Sequence, residues 1–229
     1  MRGPFITLEG QDGAGKSSHE AILRQALKAA GWDVVMTKEP GGSDLGARLR
    51  LELKETPMDL STEVFIAFAA RCEHLAQVIR PALAAGKAVI SDRFTDSTFA
   101  YQGASQGYPT EKLEKIEQIV QDDLRPDLTL FFDVSPEVAA ARRTNRLATD
   151  ATVSATDKFD NKDAAFFEAV RQGYLDRIAK SPDRYVVIDG NPSLELVAAQ
   201  VQKALAQFTQ RFRNQQTPEG PTRRVRRSP

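Results

Sequence analysis

Residues 10–17 read Gly-Gln-Asp-Gly-Ala-Gly-Lys-Ser and match the pattern G-x-x-x-x-G-K-[ST]. In such a loop, glycine lets consecutive backbone N–H groups approach a phosphate without a Cβ atom in the way. Lys16 brings a positive charge to the outer phosphates, and the Ser17 hydroxyl is suited to hold Mg²⁺. The pattern therefore predicts a nucleoside-triphosphate site, and its residues are Gly10, Gln11, Asp12, Gly13, Ala14, Gly15, Lys16, Ser17 and Ser18.

The segments on either side of this loop match the structural context that the motif requires. The five residues before it, 5–9, form an apolar-rich stretch that predicts a buried strand. After it, apolar residues recur at helical spacing at Ile22, Leu23, Ala26, Leu27 and Ala30. A helix that starts at the loop points its positive end toward the bound anion. These flanks favour a phosphate site over an ordinary Gly-rich turn.

A second group of polar residues follows a later strand. Residues 88–91 predict a buried strand, and Asp92 and Arg93 come directly after it. Because ligands of open α/β sheets bind outside the carboxyl ends of strands, this acid and base are candidates for chemistry. Arg71 lies near Phe68 on the long helical pattern 61–80; from the pattern alone it either covers apolar surface or faces a ligand.

Five predicted strands alternate with helices along the chain. This order predicts a three-layer α/β/α sandwich with a five-stranded parallel sheet, of the type that carries a phosphate-binding loop. One domain is expected over residues 1–207. Residues 148–157 are small and polar, with Arg142, Arg143 and Arg146 before them and Lys158 after them. We expect a lid around residues 142–160, although a solvated, charged helix end has the same composition.

Composition sets further expectations for this chain of 229 residues. Its single cysteine, Cys72, excludes an internal disulfide and favours a reducing, cytoplasmic setting. The sequence shows no apolar run of membrane-spanning length and no signal-peptide pattern. Residues 208–229 are rich in Arg and Gln and are expected to be disordered. They hold six of the 31 basic residues and one of the 31 acidic residues, so the rest of the chain is net acidic and no specific nucleic-acid partner is expected.

Taken together, four motifs in this order resemble the bacterial thymidylate kinase family, over nearly the whole chain to about residue 207. They are the loop 10–18, Glu39-Pro40-Gly41-Gly42, Asp92-Arg93-Phe94 and Tyr101-Gln102-Gly103. The resemblance implies a nucleoside monophosphate kinase that transfers the γ-phosphoryl group of ATP to dTMP with Mg²⁺. It also implies a homodimer.

The resemblance assigns roles position by position. The ATP phosphates bind the loop together with Arg142, Ser17 and Asp92 hold the metal, and Arg93 and Lys38 meet the dTMP phosphate. Asp12, Lys16, Arg93, Arg143 and Arg146 form the catalytic set. The residues expected to bind dTMP are Lys38, Glu39, Pro40, Phe68, Arg71, Arg93, Ser97, Tyr101 and Gln102, with Arg71 and Gln102 at the thymine edge and Phe68 stacked on its ring.

Three positions depart from the family pattern. Lys38 and Lys158 stand where arginine is usual, and a lysine cannot form the bidentate fork to phosphate. The stacking phenylalanine usually lies where Ala67 stands, and a step of one residue to Phe68 rotates a helix position by about 100°. Two other functions remain open: a related kinase that phosphorylates dUMP or a deoxynucleoside, and a nucleotide-switched ATPase that binds a partner protein.

Overall fold

The apolar segments predicted as strands form one parallel sheet. In the computed structural model, which describes residues 2–149, 159 and 162–216, the strand order is β2-β3-β1-β4-β5. All four neighbouring pairs are parallel, which confirms the predicted fold class. The strands are β1 (Phe5–Glu9), β2 (Val34–Lys38), β3 (Ala88–Asp92), β4 (Leu128–Asp133) and β5 (Tyr185–Asp189).

Helices connect these strands and cover both faces of the sheet. A short 3-10 turn at Ser17–His19 leads from the phosphate-binding loop into the first helix. The helices are α1 (Glu20–Ala29), α2 (Asp44–Glu55), α3 (Leu60–His74), α4 (Arg80–Ala84), α5 (Thr95–Thr98), α6 (Thr110–Gln121), α7 (Pro136–Thr149), α8 (Ala164–Lys180) and α9 (Leu194–Gln216). Wider π-helical turns join α3 to α4 at Leu75–Ile79 and extend α5 at Phe99–Ala104.

Alternate residues of β1 face the two helical layers. Ile6 and Leu8 pack in the cluster that includes residues of α1 and α9. Phe5 packs in the cluster that includes Leu75 and Ile79, which follow α3. This period of two is what a strand buried on both faces requires, and it confirms the three-layer arrangement.

The C-terminal helix corrects the expected domain boundary. The segment after residue 207 was expected to be disordered, but α9 continues to Gln216. Phe208 and Phe212 are buried, and the Phe212 ring lies edge-on to Trp32 with centroids 6.0 Å apart. Burial of these two rings against α1 and the residues that follow it stabilises the last turns of α9, which the composition of the segment did not predict. Residues 217–229 lie outside the described part of the chain.

The sheet order brings the predicted site residues to one edge. Strand β1 lies between β3 and β4, so the loop after β1 sits between the carboxyl ends of both neighbours. The Arg93 N–H donates to the carbonyl of Leu8 at 2.9 Å, which continues the ladder to the last residues of β1. Parallel strands therefore place the phosphate-binding loop beside the Asp92-Arg93 pair.

Candidate active site

The phosphate-binding loop is held tightly against the ends of β4 and α7. Gly10 and Gly13 have φ values of 139° and 89°, in the region that side chains with a Cβ rarely adopt. A Cβ added at Gly10 would lie 2.6 Å from the Phe132 carbonyl oxygen, and one added at Gly13 would lie 2.4 Å from that of Ala139. The glycines are thus required by close packing as well as by backbone conformation.

Lys16 is folded over this loop. Its Nζ donates to the carbonyl oxygens of Gly10 at 3.0 Å and Gln11 at 3.1 Å, and the residue is 6% exposed. Burial, followed by the nearby positive charge of Arg93, lowers the pKa of Lys16. An anion bound in the loop would favour the charged form of this lysine.

A polar cavity opens at this loop. Its lining combines backbone of the loop, two hydroxyls, carboxylates and two cations, which suits a bound polyphosphate with its metal ion. Arg142 reaches it from α7, as the resemblance implied. The lining residues are Asp12, Gly13, Gly15, Lys16, Ser17, Ser18, Asp92 and Arg142.

The donor atoms of Asp92 and Ser17 fit a Mg²⁺ ion. The buried Asp92 Oδ1 has no hydrogen-bond partner among the described residues, and it lies 4.0 Å from Lys16 Nζ. Mg²⁺ is held in such sites by one or two protein oxygens together with substrate phosphates and water. The described part of the chain holds no cluster of three or more His, Cys, Asp or Glu that would form a metal cage. Asp133, another strand-end acid, is engaged with Arg171 at 2.7 Å.

A second cavity adjoins the first and shares Asp12 with it. It combines cations and hydrogen-bonding side chains with an apolar wall, the usual composition of a small-molecule site. The lining residues are Asp12, Glu39, Pro40, Arg50, Leu53, Lys54, Glu63, Ala67, Arg71, Arg93, Phe94, Ser97, Thr98, Tyr101, Gln102 and Phe159. We call the first cavity the donor cavity and the second the acceptor cavity.

Arg93 lines the acceptor cavity and contacts Asp12, the residue that both cavities share. Its backbone φ of 69°, directly after β3, is unusual for a residue other than glycine. Nη2 donates to Asp12 Oδ1 at 2.8 Å and to Tyr101 Oη at 3.3 Å. Nη1 donates to Ser97 Oγ at 3.1 Å and Tyr174 Oη at 3.2 Å. The guanidinium is therefore fixed from both sides before any ligand binds.

Arg71 lies deeper in the acceptor cavity and is anchored by buried partners. Its Nε donates to Glu39 Oε2 at 2.7 Å and its Nη2 donates to Thr98 Oγ1 at 3.1 Å. The other oxygen of Glu39 lies 2.8 Å from His74 Nδ1. Arg71 Nη1 is buried without a hydrogen-bond partner among the described residues. An unpaired donor at a cavity wall needs an acceptor, and a ligand oxygen would supply one.

Gln102 completes the polar end of the acceptor cavity. Its Nε2 donates to Glu63 Oε1 at 2.6 Å, which fixes the direction of the amide. The Arg93 guanidinium lies over the ring of the neighbouring Tyr101, 5.1 Å from the ring centroid. Of the nine residues predicted to bind dTMP, seven line this cavity: Glu39, Pro40, Arg71, Arg93, Ser97, Tyr101 and Gln102.

Two of the residues predicted to contact dTMP do not line the acceptor cavity. Phe68 is 2% exposed and packs with Val64 and Phe99 in the core, and Ala67 lines the cavity in its place. The helical rotation between neighbouring positions is the reason: Phe68 lies beneath Arg71, with the guanidinium 4.8 Å from its ring centroid. Lys38 is exposed at the end of β2 and does not line the cavity.

Sequence reasoning missed Arg50 and Phe159. Arg50 belongs to α2, which the pattern marked only by its leucines, and its Nη1 donates to the Pro40 carbonyl at 3.0 Å. Phe159 lies within the predicted lid, and its ring meets Tyr101 at a centroid distance of 5.3 Å. Both line the acceptor cavity together with residues that are distant in the sequence, so no local pattern marks them as its lining.

The structure describes only part of the segment predicted as a lid. Arg143 Nη1 donates to the Asp12 carbonyl at 2.9 Å, and its guanidinium lies 4.2 Å from the Phe167 ring centroid. This arginine thus links α7 to the loop between the two cavities. The side chain of Arg146 and all of Lys158 lie outside the described residues.

Comparisons with known proteins identify the family. The thymidylate kinase family profile matches residues 8–201. The chain belongs to the thymidylate kinase family. This confirms the resemblance drawn from the four motifs.

Curated relatives agree over nearly their whole length. A thymidylate kinase of Methylobacillus flagellatus is 48% identical over 208 residues, which cover 91% of this chain and 99% of the relative. One from Pseudomonas putida is 48% identical over 217 residues, covering 93% of this chain and 100% of the relative. A crystal structure of thymidylate kinase from Ehrlichia chaffeensis has a TM-score of 0.69 at 32% identity, covering 90% of this chain and 99% of that chain.

Within the described residues, no helix is both long enough and apolar enough to cross a membrane.

Proposed function

We propose that this protein is a thymidylate kinase that transfers the γ-phosphoryl group of ATP to dTMP, giving dTDP and ADP in dTTP biosynthesis. One observation carries the proposal: the donor and acceptor cavities meet at Asp12, with Lys16 on one side and Arg93 on the other. Two phosphates bound in these cavities would face each other. Membership of the thymidylate kinase family supports the same reaction.

Phosphoryl transfer asks the protein mainly to align two phosphates and to neutralise their charge. In our proposal Lys16 holds the outer phosphates of ATP, and Arg93 and Arg50 hold the phosphate of dTMP. The attacking oxygen is already ionised, so the site needs no strong general base. Asp12 orients Arg93 through the 2.8 Å ion pair, and Arg143 braces the Asp12 carbonyl from α7. Arg142 and Arg146 remain proposed as further cations for the ATP phosphates.

The thymine base is proposed to lie at the far end of the acceptor cavity. There Arg71 Nη1 and the Gln102 amide offer hydrogen bonds to the ring edge. Leu53, Ala67 and Phe94 form an apolar wall that suits the 5-methyl group. One additional methyl group in such a pocket changes the preference between two substrates by about 10- to 200-fold. We therefore expect dTMP to be preferred over dUMP.

Ser17 and Asp92 would hold Mg²⁺ in this proposal, as the unpaired Asp92 oxygen suggests. When bound, the ion would neutralise charge on the ATP phosphates. Chelation of divalent cations is then expected to abolish turnover, and an Asp92→Asn variant is expected to need more Mg²⁺ for half-maximal rate.

A homodimer and a cytoplasmic location complete the proposal. Helices α2 and α3 pack against each other and expose Leu51 and Phe65, which are 53% and 58% accessible. In our proposal these two side chains form part of the dimer interface, since a contiguous exposed apolar patch marks an interaction site. Sedimentation equilibrium of the purified protein, together with a Phe65→Glu variant, tests the dimer.

The decisive experiment is a coupled ADP-release assay with ATP and a panel of acceptors: dTMP, dUMP, dCMP and thymidine. The expected result is fastest turnover with dTMP, and a loss of about 10²–10³ in rate for Lys16→Ala. Faster turnover of dUMP or thymidine would replace the proposed substrate. Slow ATP hydrolysis without any phosphorylated nucleotide would instead support the nucleotide-switched ATPase.

A further inference from the structure

Glu9 is a buried carboxylate that the transfer reaction described above does not use. It is the last residue of β1 and is 0% exposed. Oε1 accepts from the Phe94 N–H at 2.8 Å, and Oε2 accepts from Ser97 Oγ at 2.6 Å and Tyr174 Oη at 3.0 Å. One carboxylate therefore ties the end of β1 to the segment after Arg93, to α5 and to α8.

The two hydroxyls that bind Glu9 also accept hydrogen bonds from Arg93 Nη1. Ser97 Oγ and Tyr174 Oη each accept from Arg93 Nη1, at 3.1 and 3.2 Å. A guanidinium N–H only donates, so each hydroxyl must turn a lone pair toward Arg93 and send its own proton elsewhere. Within this group the remaining acceptors are Glu9 Oε2 and the other hydroxyl oxygen. Glu9 therefore sets the orientation in which both hydroxyls accept hydrogen bonds from Arg93.

The three oxygens of this group are one proton short of a complete ring. Ser97 Oγ and Tyr174 Oη lie 2.9 Å apart, so Glu9 Oε2 and the two hydroxyls make three contacts of hydrogen-bond length. The hydroxyls supply only two protons. The third contact becomes a hydrogen bond only when the carboxyl group itself carries a proton. The geometry thus accommodates both protonation states of Glu9 and completes the ring in the neutral one.

We propose that Glu9 is a positioning residue of the acceptor-phosphate site: it holds Arg93 through Ser97 and Tyr174, and it takes up a proton when the phosphate binds. This inference rests on the proposed function, in which Arg93 holds the dTMP phosphate. An arriving phosphate dianion adds negative charge in front of Arg93. Neutralising the carboxylate behind Arg93 removes the repulsion between the two anions.

Burial and the surrounding charges place proton uptake by Glu9 near neutral pH. Burial, followed by the negative charge of Asp96, raises the pKa of Glu9 to about 7, against opposing contributions from Ser97, Arg93 and the Phe94 N–H. The charged or titratable groups that face it are Arg93 and Asp96 after β3, Lys16 in the phosphate-binding loop and Tyr174 on α8. Burial opposes ionisation of Asp96, but Arg184 and Arg177 outweigh it and hold the pKa of Asp96 at about 2. Asp96 therefore stays ionised throughout the neutral range.

Proton uptake is tested by calorimetry of dTMP binding at pH 7.5 in buffers of different ionisation enthalpy. The comparison is between the wild-type protein, Glu9→Gln and the control Glu117→Gln. Glu117 is also a buried carboxylate, but it pairs with Arg177 and Arg125 away from Arg93. The substrate phosphate contributes equally in all three. We expect the wild type and Glu117→Gln to take up more protons per dTMP than Glu9→Gln, and equal uptake in all three would overturn the proton-uptake claim.

The positioning role is tested by steady-state kinetics. Glu9→Ala removes the anchor of both hydroxyls and is expected to raise the dTMP KM by about 10- to 100-fold, by analogy with outer-shell groups that orient the ligands of a metal ion. The ATP KM is expected to stay at its wild-type value. In contrast, Glu9→Gln keeps a neutral hydrogen-bonding group and is expected to show a smaller rise. The ratio of its dTMP KM to that of the wild type should fall as the pH rises from 6 to 8, because only the wild type acquires the carboxylate charge.

Two further variants keep the test decisive. If Glu9→Ala does not fold, Tyr174→Phe removes one of the two links between Glu9 and Arg93 and leaves the ring in the core. It is expected to raise the dTMP KM alone. In an Arg93→Ala background, Glu9→Gln should have no additional effect on dTMP binding. A wild-type protein that does not phosphorylate dTMP would refute the proposed function, whereas active wild type with unaltered dTMP kinetics in Tyr174→Phe and Glu9→Gln would refute only this inference.

Discussion

Replacing Glu39 with Gln separates the charge of this side chain from its shape. Glu39 is 4% exposed, and its carboxylate contacts two buried basic side chains, at Arg71 Nε (2.7 Å) and His74 Nδ1 (2.8 Å). The amide retains one acceptor oxygen but turns an N–H₂ group toward the second donor. The Arg71 guanidinium then lies 3% exposed without the carboxylate that compensates its charge.

The expected cost follows from this burial. Breaking a buried ion pair by removing one partner typically costs about 3–5 kcal/mol, because the other charge remains in a low dielectric. We expect the lower end, about 3 kcal/mol, because Arg71 keeps its hydrogen bond to Thr98 and its contact with the Phe68 ring. In a domain of this size, 1 kcal/mol shifts the melting temperature by about 2–4 °C, so a fall of about 6–12 °C is expected.

The same substitution should weaken dTMP binding. Arg71 is held by Glu39 with Nη1 unpaired at the cavity, so a shift of the guanidinium misplaces that donor. Loss of a hydrogen bond of this charged kind costs about 1.5–3 kcal/mol, which predicts a rise of about 10- to 150-fold in the dTMP KM. The assay is the coupled ADP-release reaction at saturating ATP, with thermal unfolding followed by circular dichroism.

Glu55→Gln is the matched control, since Glu55 is exposed at the end of α2. A double-mutant cycle with Arg71→Met should show strong coupling, because removing both charges leaves no buried ion unpaired. The reasoning fails if Glu39→Gln melts at the same temperature as Glu55→Gln and binds dTMP normally.

Three other outcomes are expected. Arg50→Ala should raise the dTMP KM by about 10- to 100-fold, because it removes a charge-assisted contact with the dTMP phosphate. The ATP KM should not change. Equal increases in both KM values in the coupled assay would contradict this prediction. Phe212→Ala should destabilise the protein by about 3 kcal/mol, since its buried ring packs on Trp32, whereas Arg211→Ala at an exposed position should not; urea unfolding measures both. The pKa of Asp96 is lowered from 3.8 to about 2 in the folded protein, so its stabilisation of about 2 kcal/mol is present above pH 3.8 and is lost as the pH falls through 2. Asp96→Asn should lack this part of the acid dependence in unfolding curves from pH 5 to 2, and an acid dependence like that of the wild type would count against it.

Local sequence determined much of this protein. The loop 10–17 with its strand and helix, the five strands and the polar residues at the end of β3 follow from patterns within short windows. Parallel pairing then brings the carboxyl ends of β1 and β3 together, so Lys16 and Arg93 share one edge. The family motifs named seven residues that line the acceptor cavity.

Tertiary structure alone decided which neighbouring side chain faces a ligand. Ala67 lines the cavity and Phe68 is buried because α3 is rotated by its packing on the core, and one helical step turns a side chain by about 100°. Arg50 and Phe159 reach the cavity from segments far apart in the chain, and residues 208–216 are helical because two rings find a surface to cover. Glu9 depends on the fold in the same way: β1 supplies its carboxylate, and only the approach of α5 and α8 brings the two hydroxyls that connect it to Arg93. These contacts arise between distant segments, and no local pattern contains both partners.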